Sequence, residues 1–96
     1  MPIINKKRLP NNLRKCRLVR GFKQKDVAKI LGFGSTSTIS KWENGYCLPN
    51  TLNTFRLAIL YRCMIDALFF DLKIELQEGI LKSEENFLKA KVKSEK

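Results

Sequence analysis

Five polar side chains, Thr36, Ser37, Ser40, Lys41 and Asn44, recur at spacings that gather them on one side of a helix turning about 100° per residue. Hydroxyl, amide and ammonium groups at that spacing can donate to and accept from the edges of base pairs in a major groove. Lys41 is the most discriminating of them, because an ammonium donates to guanine O6 and N7, whereas Thr36, Ser37 and Ser40 read less sharply. The same hydroxyls, clustered before a helix, would serve equally well as caps. Catalysis has little to stand on: the chain holds no histidine, no cluster with metal-ligand spacing and no nucleophile beside a base.

Two short helices joined by a glycine turn would present this face, and they lie in Gln24 to Gly45, QKDVAKILGFGSTSTISKWENG. The first places Val27, Ala28 and Leu31 on one side at steps of three and four, with Ala28 small enough for close approach, and stops at Gly32. Ser35 is the expected N-cap of the second, which turns Ile39 and Trp42 inward and ends at Asn44-Gly45. That layout is a helix-turn-helix.

The 96 residues suit one domain with a single modest core. The net charge is +10, and residues 1–62 hold 13 Lys and Arg against 2 acids, while residues 63–96 hold 6 against 7. A basic half of this kind attracts a polyanion, most often nucleic acid. Cys16, Cys47 and Cys63 are odd in number and unaccompanied by histidine, so they read as ordinary thiols rather than a disulfide or zinc framework. No apolar run reaches the ~18 residues needed to span a bilayer, and MPIINKKRLP lacks a secretory h-region, so a cytoplasmic protein without cofactor or membrane partner is expected.

Residues 1–9 read as a flexible basic arm in which Lys6, Lys7 and Arg8 either enter a minor groove or form a solvated tail. Pro10, Asn11 and Asn12 start a cationic helix from about Leu13 to Arg20 that stops at Gly21. Phe22 is expected in the core. Thr51 to about Tyr61 forms a helix carrying Leu52, Phe55, Ile59 and Leu60, and Lys15, Arg56 and Arg62 are expected to be plain surface cations. Another helix begins at Ile65 to Phe69. Residues 70–93 carry both a helical repeat, Leu68, Leu72, Leu76 and Ile80, and a strand-like alternation from Phe70 to Gln77. Composition favours helix, with Gly79 as a bend or end and Ser83 as a fresh N-cap, but one helix, two helices and a strand all remain open.

From Arg17 through Phe69, more than half of the chain, the sequence resembles the phage-repressor (Cro/cI-type, XRE) helix-turn-helix domain. The resemblance is carried by Arg20-Gly21-Phe22-x-Gln24, Val27-Ala28, Leu31-Gly32, Ile39-Ser40-x-Trp42-Glu43-Asn44-Gly45, Pro49 and a closing Leu68-Phe69. It implies an all-α, five-helix lambda-repressor-like domain over residues 10–69; the C-terminal extension over residues 70–96 lies beyond the resemblance and is read as helical by its composition. It also implies that Arg17 and Glu43 pair beneath the recognition helix. Two departures stand out. The turn has one residue more than is usual, most simply Gly34, which would shift the reading side chains by one position. Lys23 stands where a Ser or Thr N-cap is usual, which would leave the helix N-terminus and Gln24 open to a DNA phosphate.

The expected function is a sequence-specific, double-stranded DNA-binding transcriptional regulator, a repressor acting as a homodimer on a palindromic operator. Backbone contacts are expected from Arg14, Gln24, Lys25, Asn44 and Tyr46. Leu72, Leu76 and Ile80 either pack on their own domain or form the dimer seam, and truncation after Phe69 should weaken operator binding more than it lowers the melting temperature. The alternative is an antitoxin-like or accessory protein whose C-terminal segment binds a protein partner. A third reading, an RNA-binding or architectural protein, fits the charge but leaves the polar face of residues 36–44 unused.

Overall fold

The computed structural model describes residues 8–94, and all regular structure among them is helical. The order is α1 (Leu13–Val19), α2 (Gln24–Leu31), α3 (Ser37–Glu43), α4 (Thr51–Tyr61), α5 (Ile65–Leu68) and α6 (Phe70–Ser94). Five helices build the domain and the sixth is the extension. No helix of the described residues is long and apolar enough to cross a membrane.

Each of the first four helices is closed by the same device. A residue in the left-handed region follows the last turn, and the next N–H reaches back to a carbonyl five residues earlier: Phe22 to Arg17, Phe33 to Ala28, Tyr46 to Lys41 and Cys63 to Ala58. Gly21, Gly32 and Gly45 fill that position after α1, α2 and α3, whereas Arg62 fills it after α4 with φ 57°. At the other ends, Asn50 Oδ1 accepts from the Asn53 N–H at 2.8 Å to cap α4, and Asn11 Oδ1 accepts from the Leu13 N–H at 3.0 Å to start α1.

The stripe Val27, Ala28 and Leu31 is buried against Leu13, Ile39, Trp42, Leu57, Tyr61 and Leu68, with Phe22 and Phe33 packed around it. Phe33 meets Trp42 edge-on, with ring centroids 5.8 Å apart. The Cys16 and Cys63 sulfurs lie 3.2 Å apart as free thiols. Burial, then the neighbouring Cys63 sulfur, pushes the Cys16 thiol up to about 11.

Leu52 and Ile59 on α4 are 67% and 76% exposed, and Phe55 is exposed beside them; the buried side of that helix carries Leu57 and Tyr61. Two expectations are corrected. Arg56 is no idle surface cation, because its Nη2 donates to the Leu31 carbonyl that ends α2. Residues 70–94 form one continuous helix, so Gly79 does not end it and Ser83 caps nothing. Glu78 with Lys82 and Glu85 with Lys89 stand four apart in the favourable order, and a lone alternating segment has no partner strand with which to form a sheet. Of the three apolar residues given two roles, only Leu72 reaches the core, at 8% exposure, while Leu76 and Ile80 are exposed.

Candidate nucleic-acid interface

The recognition helix is held from beneath by a charged cluster. Glu43 Oε2 accepts from Arg17 Nε at 2.6 Å and Oε1 from Arg17 Nη2 at 3.1 Å, with both side chains almost fully withdrawn from water. Arg17 Nη1 donates onward to the Phe22 carbonyl at 2.8 Å, which ties α1, the α1–α2 turn and the end of α3 together. The bond to Glu43 makes the guanidinium hold its proton more tightly than usual, outweighing the opposite effect of burial.

Gln24 joins this cluster: its Nε2 donates to Glu43 Oε1 at 3.0 Å. The side-chain oxygen and the remaining amide hydrogen are left for other partners. At the same helix start, Asp26 Oδ2 accepts from the Lys23 N–H at 2.8 Å. That bond satisfies the N–H of Lys23 itself, while the Lys23 side chain caps none of the first-turn N–H groups of α2. The Lys23 ammonium itself has no lone pair with which to accept.

The turn after Gly32 runs through Phe33, Gly34, Ser35 and Thr36, and α3 begins at Ser37. Thr36, not Ser35, occupies the N-cap position and makes no side-chain cap bond. Ser35 Oγ instead lies 2.9 Å from Ser37 Oγ and accepts weakly from the Ser37 N–H at 3.4 Å. Thr36 is half-buried ahead of the helix, Ser37 and Lys41 are exposed, and Ser40 is half-buried between them. Asn44 Nδ2 donates to Ser40 Oγ at 3.2 Å, which leaves the Ser40 O–H free to donate outward.

A second anchorage lies at the far end of α3. Leu9 N–H donates to the Gly45 carbonyl at 2.9 Å, and Asn11 Nδ2 donates to the Trp42 carbonyl at 3.1 Å. Gly45 is required twice over: its φ is +76°, and a Cβ there would lie 2.5 Å from the Leu9 carbonyl oxygen. Arg8 Nη2 donates to Tyr46 Oη at 2.7 Å, and the guanidinium lies 4.5 Å from the centre of the Tyr46 ring. Arg8 is thus held by Tyr46 at the end of the reading helix, while Lys6 and Lys7 lie outside the described residues. Arg14 and Lys25 are exposed on α1 and α2.

Sequence reasoning missed Asn11, Arg56 and Asp26. Asp26 had a readable signal, an acid three residues after a helix start; the partners of Asn11 and Arg56 lie 25 and more residues away and had none. A family model described as helix-turn-helix matches residues 13–68. No curated protein and no solved structure matches the chain.

Proposed function

The chain belongs to the XRE-type helix-turn-helix family of DNA-binding transcriptional regulators, and from that premise we propose a cytoplasmic repressor that binds a palindromic operator as a homodimer. One observation carries the reading: Ser37, Ser40, Lys41 and Asn44 share a polar face of α3, which the Arg17–Glu43 pair and the Leu9–Gly45 bond clamp at its C-terminal end. A rigid helix with short polar groups suits direct readout. Lys41 donates to guanine, Ser37, Ser40 and Thr36 donate to or accept from neighbouring base edges, and Arg14, Gln24, Lys25, Asn44 and Tyr46 with Arg8 hold phosphates. Repression follows from occupancy, since a domain seated in the groove excludes polymerase.

The test is selection of bound duplexes from a random pool by the purified chain at near-physiological salt. A recovered palindrome with half-sites about one helical turn apart is expected. Recovery of no motif, with binding that collapses steeply as salt rises, would overturn the operator reading in favour of non-specific coating. The long apolar exposure of α6 favours a second reading, an accessory or antitoxin-like regulator whose C-terminal helix binds a different protein.

A further inference from the structure

Helix α6 is amphipathic along its whole length but packs on the domain only at its start. At about 100° per residue, Phe69, Leu72, Leu76, Ile80 and Phe87 form one stripe and Phe70, Ile74, Leu81, Leu88 and Val92 another. The remaining side, Asp71, Glu75, Glu78, Lys82, Glu85, Lys89 and Lys93, is wholly polar. Every apolar residue of α6 from Ile74 onward is exposed, Phe87 at 65%. Solvated helices of this composition draw little stability from propensity alone, so an apolar face of this length calls for a partner.

Where α6 leaves the domain, its first stripe forms one wall of a groove of about 590 Å³, closed on the other side by Leu48, Pro49, Thr54 and Ile65. Beyond Ile80, which still lines the groove, the same stripe continues as an exposed ridge. Groove and ridge lie on either side of Gly79 at similar distances along one helix. Their charges are opposite: residues 65–80 hold four acids and one Lys, while residues 81–94 hold four Lys and two Glu.

We propose that the groove receives the distal half of α6 from a second copy of this chain, the two helices running antiparallel about a two-fold axis near Gly79. The inference rests on the dimeric reading above and supplies its geometry. In this register Phe87 of one copy lies over Leu72 of the other, Ser83 faces Leu76, and Ile80 meets its own counterpart. Lys73 comes beside Glu84 on the flank of the seam. Each acidic half meets a basic half, whereas parallel pairing lays like on like. The arrangement is isologous, so groove and ridge are both filled twice and no apolar end is left over.

The test uses the full chain. Sedimentation equilibrium should show a dimer, and Phe87→Glu, which alters an exposed side chain and should leave the circular dichroism spectrum unchanged, should raise the dimer dissociation constant by about 100-fold. In a Cys47→Ser background, Lys73→Cys and Glu84→Cys chains should cross-link to each other when mixed, and neither should cross-link to itself. Self-cross-linking of each variant would mean parallel pairing and overturn the inference. A wild-type monomer at all concentrations, including one whose α6 is taken only by a different protein, would also overturn it. So would a dimer indifferent to Phe87→Glu and without the mixed cross-link, as expected if the exposed Leu52, Phe55 and Ile59 of α4 made the contact instead. A monomer that selects a single half-site would overturn the pairing and leave the DNA reading standing. An antiparallel dimer that selects no DNA motif would do the reverse.

Discussion

Glu43 holds the end of the recognition helix from beneath. Its carboxylate accepts from Arg17 and Gln24 together, and removing one member of a buried pair leaves the other charged and unmatched, at about 3–5 kcal/mol. Glu43→Gln should lower stability in urea denaturation by an amount in that range; unchanged stability would mean that the cluster contributes little. The outward residues should separate by kind. Lys41→Ala should relax preference at one base pair by ~1–3 kcal/mol in competition assays with altered operators. Lys25→Ala should weaken binding to all duplexes alike and lower the slope of log affinity against log salt by about 0.9.

Among the elements, the helix ends are informative because the same closing turn recurs four times with glycine in three of them. Arg62 adopts φ 57° after α4, a conformation that costs a side chain roughly 1–2 kcal/mol. Part of that is offset by the entropy glycine loses on folding, so Arg62→Gly should stabilise the protein by roughly 0.5–1 kcal/mol in thermal melts. Gly45→Ala should do the opposite by ~2 kcal/mol or more, since it adds a backbone clash with Leu9 to the strain. The α2 stripe Val27, Ala28 and Leu31 was legible from spacing because one face of that helix is apolar and the other is not. On α4 both faces carry large apolar residues, and periodicity cannot choose between Leu52, Phe55, Ile59 and Leu57, Ala58, Tyr61.

For the molecule as a whole, alkaline pH should be a sensitive probe of the core. The Cys16 thiol is pushed up from 9.0 to about 11, so between those values the unfolded chain has lost a proton that the folded chain keeps. The contribution is intact below pH 9 and is lost as pH rises through that window. Tyr61, also raised chiefly by burial, adds to the decline above its ordinary value of 10.0. Thermal melts should show stability falling from pH 9 upward, with a shallower fall in Cys16→Ala; a flat profile would contradict the packing around both groups. The extension invites a truncation, but a cut after Phe69 removes Leu72, which belongs to the core's edge. A cut beyond Leu76 leaves the core intact and tests the extension alone.

Local interactions wrote much of this protein into its sequence. The glycine stops, the period of α2, the inward Ile39 and Trp42 and the basic bias of residues 1–62 all depend on neighbours within a few positions or on composition. The family resemblance added the Arg17–Glu43 pair across 26 residues. Only the tertiary structure decided which side of α4 is buried, that Gln24 turns toward Glu43, that Arg8 is held by Tyr46, and that residues 70–94 are one helix rather than two or a strand. Each of these outcomes depends on which surfaces meet after the chain has closed on itself, or on whether a second strand exists to pair with, and spacing along the chain carries no record of either.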